Sequence, residues 1–173
     1  ERVLPGVLAA ELVLNGVFTF VINYGANPDI RVYTDYVSQS QQQIEQIQER
    51  EESVFYRMDT LEKRNDAGDG CSAFLNEAMV YGYHGLAHYS STYDTDISKM
   101  IFDVGYSTLL DLSVIQESII PSDALFGVKY LLSQKEVAGY EKVDEIPEYN
   151  GKSVYLNPYA LDVGIGTGKE ILE

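Results

Sequence analysis

An almost continuously apolar stretch over residues 3–22 constrains the fold of this chain more than any other feature. It is about as long as the ~20 residues that a helix needs to cross a bilayer. Pro5, Glu11 and Asn15 argue against a membrane span, because a carboxylate near the bilayer centre costs several kcal/mol. Residues 12–21 are rich in β-forming side chains, so we predict a buried strand preceded by a turn.

Size and charge limit the class of protein. A chain of 173 residues that is 45% hydrophobic can bury one core, which predicts a single domain over residues 1–173. The formal net charge of -15 argues against a nucleic-acid partner, because phosphate backbones bind basic surfaces. A lone cysteine, Cys71, excludes an internal disulfide and a cysteine-based zinc site. Since the first residue is not methionine and no signal peptide opens the chain, we expect a piece of a longer protein.

An amphipathic helix is predicted over residues 33–52. Tyr36, Ile44 and Ile47 fall on one side at helical spacing, and glutamines and glutamates form the solvated side. Residues 53–59 then have the composition of a strand. The chain would therefore begin as a β-α-β unit with a right-handed crossover.

Capping and turn residues organise the second half of the chain. Asp94 is placed to cap a helix that Gly105 ends, and we predict a further helical segment over residues 109–115. The second half of residues 124–133 is strongly apolar, which predicts another buried strand.

Asn150-Gly151 is the strongest short-range turn signal in the sequence and predicts a hairpin between residues 140–146 and 152–156. Together with the preceding elements, this hairpin predicts an α/β fold of mixed α+β type. We expect a single domain in which helices pack on a mixed β-sheet, with residues 81–92 on a loop at one rim.

Residues 81–92 combine tyrosines, histidines, glycines and hydroxyl side chains, and form the best candidate for a binding site. Aromatic rings with polar tips can stack on sugar faces while hydroxyls bind ring oxygens, and glycines let the backbone approach closely. With 14 Tyr and no Trp in the chain, tyrosine would supply such rings. The structural alternative is that these side chains line a half-buried element with their tips in water. The candidate ligand-binding residues are Tyr81, Tyr83, His84, His88, Tyr89 and Ser90.

Motifs for catalysis and metal binding are incomplete. His84 and His88 have the spacing of two helical metal ligands, but Gly85 lies between them and no acidic residue follows at zincin spacing. The serines that follow lack a strand-turn-helix elbow. Residues 164–169 are glycine-rich but lack the Walker and dinucleotide-binding spacings. We therefore predict no catalytic residue, no metal and no cofactor.

Two basic residues occur within predicted strands, Arg57 and Lys129. A buried cation must find a carboxylate or carbonyl oxygens. We predict that each of the two forms an internal ion pair.

Four segments of the sequence stand out together, namely residues 55–58, 85–92, 123–130 and 154–161. In their order and spacing they resemble the YfhO family of bacterial integral membrane proteins. The opening around Glu11, Leu12 and Asn15 is similar to the point at which that family's chain leaves a membrane span. Near the end the sequence departs from the family, because Asp162 follows where the family usually has proline.

The resemblance implies a parent protein with many membrane spans, similar to GT-C-type, polyprenyl-phosphate-sugar-dependent glycosyltransferases. Such proteins decorate cell-envelope polymers such as the teichoic acids of Gram-positive bacteria. This chain would be a soluble extracytoplasmic domain at the cell membrane. It would pack on the transmembrane part of its own parent chain and bind or position a glycopolymer acceptor or a lipid-linked sugar.

No catalytic residue follows from the resemblance, because the family's acidic catalytic residues are expected in an early external loop outside this chain. The alternative from another class is a structural or assembly module. It would pack on the membrane part or on a partner protein and would have no ligand of its own.

Overall fold

The computed structural model describes residues 3–26, 30–62, 76–90, 92, 94–109, 112–114 and 117–162. Its helices are α1 (Val3–Ala26), α2 (Ile30–Arg50), α3 (Glu77–Tyr81), α4 (Thr95–Asp103) and α5 (Ile120–Leu125). Its strands are β1 (Arg57–Thr60), β2 (His88–Tyr89), β3 (Ser107–Leu109), β4 (Leu112–Val114), β5 (Val128–Ser133), β6 (Glu141–Lys142) and β7 (Ser153–Leu156). The predicted mixed α+β class is confirmed.

A mixed four-stranded sheet with the order β1-β5-β7-β6 forms the centre of the fold. β1 runs parallel to β5, while β7 is antiparallel to both β5 and β6. The predicted strand in the second half of residues 124–133 is confirmed as β5. Its two sheet neighbours and the burial of Val128 and Leu131 make it the central strand of the core.

The helix α2 covers one face of this sheet. Ile44 and Ile47 pack against Met58 of β1, Leu132 of β5 and Val154 of β7. The predicted helix is confirmed, and so is the buried side predicted for it. Helical spacing identified that side because the apolar residues recur on one face.

The opposite face of the sheet carries a second cluster, in which Val128 and Leu131 of β5 pack with Val137, Tyr140 and Tyr155. Four partly buried side chains complete this cluster, namely Leu61, Leu86, Ile120 and Phe126. Because side chains of a strand alternate between faces, β5 supplies both clusters from successive positions.

The hairpin predicted at Asn150-Gly151 is confirmed, with β6 and β7 as its strands. Asn150 has φ 52° and Gly151 has φ 70°, as a two-residue hairpin turn with two left-handed residues requires. Tyr149 and Lys152 close the turn through reciprocal backbone hydrogen bonds. The Asn150 amide also donates to the Tyr36 carbonyl at 2.8 Å, which attaches the turn to α2.

The strand predicted over residues 12–21 is wrong, because this segment belongs to the 24-residue helix α1. Its side chains from residue 4 to residue 22 are exposed. Pro5 lies in the first turn, where a helix tolerates proline since that N–H has no partner in any case. The β-forming side chains misled the prediction, because the apolar run is far longer than a strand and a helix satisfies every backbone group along it.

Two further predictions are corrected. The chain begins helix-helix-strand, so the predicted β-α-β start is wrong. The helix predicted over residues 109–115 is wrong, since Leu109 ends β3 and residues 112–114 form β4, in a small antiparallel sheet of order β2-β4-β3. Gly105, with φ 102°, follows α4 and takes the backbone out of the helical region.

The cap predicted for α4 is confirmed, because Asp94 Oδ1 accepts hydrogen bonds from the backbone N–H groups of Asp96 and Ile97. Cys71 and the glycine-rich residues 164–169 lie outside the described part of the chain.

Candidate functional site

A cleft of about 310 Å³ lies beside the parallel edge strand β1. Its lining comes from three segments, around Phe55, around Asn76 and from Tyr83 to His88. The third segment belongs to the tyrosine and histidine run that the sequence singled out. We call this feature the Phe55–His84 cleft.

Two stacked rings form the flat part of the cleft. The centroids of the Phe55 and His84 rings are 4.5 Å apart and their planes differ by 21°. The Arg57 guanidinium lies 5.2 Å from the centroid of the Phe55 ring. An apolar face with a cation beside it can hold a ligand that has both an apolar face and polar edges.

A buried carboxylate fixes the backbone of the cleft to the central sheet. Asp59 of β1 is 1% exposed, and its Oδ2 accepts hydrogen bonds of 2.9 Å from the N–H groups of Leu86 and Ala87. The Met58 N–H donates to the His84 carbonyl, also at 2.9 Å. These contacts fix the backbone that carries His84, and the His84 ring is stacked on Phe55 with no ligand bound.

Asn76 fixes the far side of the same loop. Its side-chain amide donates to the Tyr89 carbonyl at 3.1 Å, and the Tyr89 N–H donates to its Oδ1 at 2.7 Å. The His88 Nδ1 lies 3.1 Å from the Leu86 carbonyl, which can only accept a hydrogen bond. Nδ1 therefore donates, and Nε2 is the ring nitrogen that can meet a ligand.

The six predicted ligand-binding residues divide into different environments. His84 and His88 are exposed and line the cleft. Tyr81 and Tyr83 are only 9% and 8% exposed and belong to the core cluster under α2. Burial, followed by the nearby Asp59 and Glu77 carboxylates, raises the pKa of Tyr83 well above its usual value. Tyr83 also borders the cleft, but neither ring is exposed enough to stack on a ligand.

The last two candidates lie beside the cleft and do not line it. Tyr89 is exposed at the end of β2, and the Ser90 hydroxyl donates to the Thr92 carbonyl at 2.6 Å. A binding role for the run as a whole stays a prediction, with His84 and His88 as its best placed members.

Sequence reasoning missed five residues that line the cleft, namely Phe55, Arg57, Asn76, Ala78 and Met79. Phe55 and Arg57 are two positions apart, the spacing that puts strand side chains on one face, and this was the available signal. Asn76 gave no comparable signal, because its role depends on the position of Tyr89 in space.

The two predicted ion pairs have opposite outcomes. Lys129 Nζ lies 2.8 Å from Glu51 Oε1, which confirms the first pair. The pair predicted for Arg57 is wrong, because its guanidinium donates to the Phe126 carbonyl and meets no carboxylate among the described residues. Arg57 thus keeps an unneutralised positive charge at the cleft.

In the described ranges, no three His, Cys, Asp or Glu side chains are close enough together to hold a metal ion. The cleft offers an apolar stack, one guanidinium and two imidazoles, a set suited to holding a polar ring.

A family comparison decides the wider identity of the chain. The family model of the bacterial membrane protein YfhO matches residues 3–173. The chain belongs to the YfhO family. The resemblance drawn from the four sequence segments is thereby confirmed. Comparison with curated proteins gave no match, and comparison with solved structures gave none either.

Membership of the YfhO family gives α1 a clear context. Residues 4–22 form a helix that is long and apolar enough to cross a membrane, judged by length and composition. None of that stretch is buried within the fold. Glu11 and Asn15 argue against a membrane span in the sequence, but they do not exclude one.

Proposed function

We propose that this chain is an extracytoplasmic part of a YfhO membrane protein that binds or positions a saccharide acceptor. The acceptor would be a cell-envelope glycopolymer, such as a teichoic acid of Gram-positive bacteria. The reaction served would be a polyprenyl-phosphate-sugar-dependent glycosyl transfer carried out by the membrane part of the parent chain. The observation that carries this proposal is the preorganised stack of Phe55 and His84 in an open cleft.

The stack suits a sugar because pyranose rings have an apolar face and a polar edge. Such a face packs on an aromatic surface, while ring and hydroxyl oxygens accept hydrogen bonds from groups at the margin. Arg57 supplies donors at that margin, and His88 Nε2 supplies an acceptor for a sugar hydroxyl, because Nδ1 carries the proton donated to Leu86. The cleft volume of about 310 Å³ lies at the lower end of the range of small-molecule sites, about 300–1,000 Å³.

The position of α1 supports attachment of the domain to a membrane. If residues 4–22 span the bilayer, the short connection between Ala26 and Ile30 places the start of α2 at the membrane surface. The domain would then lie where a lipid-linked sugar and its acceptor meet. The transmembrane part of the same parent chain is the partner that this arrangement favours.

A second candidate is the structural or assembly module. Ile97, Met100 and Phe102 of α4 are exposed apolar side chains, in addition to those of α1. They favour packing against the membrane part or a partner protein, because exposed apolar surface is a feature of interfaces.

Ligand-observed NMR of the chain in a neutral, sugar-free detergent tests the proposal. Teichoic-acid and envelope-glycan fragments are screened against the parent chain and against Phe55→Ala and His88→Ala. Tyr159→Ala is the matched control, since Tyr159 is an exposed aromatic that does not line the cleft.

We expect binding to the parent and to the Tyr159→Ala control, with a loss of about tenfold in Phe55→Ala. His88→Ala would show a smaller loss. A folded parent that binds no fragment would contradict acceptor recognition and favour the assembly module.

A further inference from the structure

The helix α2 is longer than the part of it that packs on the sheet. Its buried side chains begin at Tyr36, while the helix itself begins at Ile30. Ile30 is 72% exposed and Tyr33 is 40% exposed. The two are three positions apart, the spacing that makes side chains neighbours on one side of a helix. The start of α2 therefore presents an apolar surface that the rest of the domain leaves accessible.

The character of this side of α2 changes along the helix. An open groove of about 330 Å³ is lined by α2 side chains between Tyr33 and Glu45. Tyr33 and Val37 line its first part, whereas its described lining from residue 38 onward consists of hydroxyl, amide and carboxylate side chains. A change from apolar to polar along one side of a helix suits a segment that passes from a lipid surface into water.

The connection to α1 limits how far Ile30 can lie from a bilayer. At about 1.5 Å per residue, the 19 residues of the apolar stretch 4–22 cover about 28 Å, close to the thickness of a hydrocarbon core. Residues 23–26 extend α1 by about 6 Å, which is about the depth of one headgroup layer. The backbone from Ala26 to Ile30 can then reach at most about 14 Å. If α1 spans the bilayer, the start of α2 is held next to the headgroups.

The side chains at the start of α2 suit a headgroup layer. Tyrosine is enriched at membrane–water interfaces, because its ring packs on apolar groups while its hydroxyl stays hydrated. Arg31 and Asp35 belong to the same part of the helix and are exposed. Charged side chains are costly in hydrocarbon and are accommodated among headgroups. This composition favours contact with the headgroups and excludes burial of the segment in the hydrocarbon core.

We infer that the first turn of α2 lies in the headgroup layer of a phospholipid bilayer, with Ile30 and Tyr33 as its lipid contacts. The contact ends before residue 38, where the lining of the groove becomes polar. It rests on a membrane span by α1 and is separate from saccharide binding at the Phe55–His84 cleft. A second point of attachment of this kind restricts how the domain can turn about the end of α1.

The chain contains no tryptophan, so a single introduced tryptophan reports on its own surroundings without background. Tyr33→Trp places this reporter at the proposed lipid contact. Val13→Trp places it at the middle of the apolar stretch of α1, where Val13 is exposed. The second variant measures the span by α1 independently of the first.

Two further variants are matched controls. Gln42→Trp carries the reporter on the same side of α2, because Gln42 is exposed in the polar part of the groove. Tyr159→Trp carries it near the other end of α2. Tyr159 follows Asn157, whose N–H donates to the Lys129 carbonyl, and Lys129 pairs with Glu51 directly after α2. Both controls would show whether tryptophan alone draws the domain to lipid.

The whole chain is reconstituted into phosphatidylcholine vesicles whose acyl chains carry bromine either next to the headgroup or at the middle of the chain. Bromine quenches tryptophan emission at contact distance, so the loss of emission reports the depth of the reporter. We expect Tyr33→Trp to lose most of its emission with bromine next to the headgroup and less with bromine at mid-chain. Val13→Trp should show the reverse order, and Gln42→Trp and Tyr159→Trp should keep their emission in both lipids.

The outcomes separate the lipid contact from the span by α1. Unchanged emission of Tyr33→Trp beside quenched Val13→Trp would overturn the inference and keep the span, with water or protein covering the first turn of α2. Quenching of Gln42→Trp as strong as that of Tyr33→Trp would also overturn it, because the contact would then extend along the helix. Unquenched Val13→Trp would overturn both the inference and the span, and would leave saccharide binding at the cleft unaffected.

Discussion

The Phe55–His84 cleft and the cluster around Asp123 both combine aromatic rings with polar groups, but those groups are exposed in the cleft and buried in the cluster. Asp123 is fully buried and accepts hydrogen bonds from the hydroxyls of Tyr106, Ser118 and Tyr140, which together we call the Asp123 cluster. Burial, and next the contact with Asp123, raises the pKa of both tyrosines above the usual value. In the cleft, by contrast, the polar groups of His84 and His88 face outward.

This difference indicates which polar groups of the fold are available to bind a ligand. A buried polar group that is fully hydrogen-bonded holds the structure together and has nothing left to offer a ligand. A polar group held in place from behind, with its free side exposed, is positioned for binding. The following predictions change the Asp123 cluster, the buried Glu51 carboxylate or the cleft, and each measures stability, hydrogen exchange or ligand binding.

The largest effect is expected for Asp123→Ala. The change leaves three hydroxyls of the Asp123 cluster without their acceptor, and an unsatisfied buried group costs about 1–3 kcal/mol. We expect a loss of about 3 kcal/mol or more in the free energy of unfolding, measured by denaturant titration. An unfolding midpoint equal to that of the parent would contradict the role given to this cluster.

Glu51, which pairs with Lys129, makes the stability of the fold depend on pH. Burial alone would raise its pKa, but hydrogen bonds from Lys129, Ser53 and Tyr130 outweigh burial and lower the pKa to about 2. A folded-state pKa below the unfolded one adds stability above the unfolded value, and this stability is lost as the pH falls through the folded value.

We therefore expect the parent to lose stability as the pH falls from about 4.5 toward about 2, with a flatter profile for Glu51→Gln. Glu52→Gln is the control, because Glu52 is the exposed neighbour. Unfolding curves at a series of pH values measure the effect. Parallel profiles for the parent and Glu51→Gln would refute the assignment.

An intermediate effect is expected for Asn76→Ala at the edge of the cleft. The change removes both hydrogen bonds to Tyr89 and places alanine at φ 55°. We expect a loss of about 1–2 kcal/mol and faster hydrogen exchange at the Tyr89 amide. Asn76→Gly removes the same bonds without the backbone strain, so it should be the less damaging of the two. Unchanged exchange at Tyr89 in both variants would show that Asn76 does not fix this strand.

The smallest effect on stability is expected for Phe55→Ala. Phe55 is half-buried, and its ring contacts the His84 ring and the Arg57 guanidinium at the surface. We expect the free energy of unfolding to change by less than about 1 kcal/mol, while saccharide binding falls. A loss of several kcal/mol would place Phe55 with the structural residues and weaken the contrast between the two regions.

Local signals in the sequence predicted most of the sheet and its covering helix. The spacing of Ile44 and Ile47, the cap at Asp94 and the turn at Asn150-Gly151 each specify structure within a few residues. Such features can be predicted because their physical cause lies in neighbouring residues.

The helix α1 is not predicted correctly, because the β-forming composition of residues 12–21 indicates a strand while the length of the whole apolar run indicates a helix. The length of an apolar run and the need to satisfy every backbone group decide between a strand and a helix there. The surroundings of a segment can override its local propensity.

The site was predicted in part for a similar reason. His84 and His88 stood out by residue type, yet the cleft is assembled by contacts between distant parts of the chain, such as those of Asp59 with Leu86 and Ala87. Those same contacts leave the rings of Tyr81 and Tyr83 in the core. Sequence spacing alone carries no information on such contacts.

The central claim is that the Phe55–His84 cleft is the open, ligand-binding region of this YfhO domain. Chemical-shift mapping of the whole chain during titration with a teichoic-acid fragment tests it most directly. The account predicts shifts at the Phe55 and His84 rings and at the Met79 methyl group, with the Tyr106 and Tyr140 rings unmoved. Shifts confined to other surfaces, or no shifts in a folded chain, would contradict it.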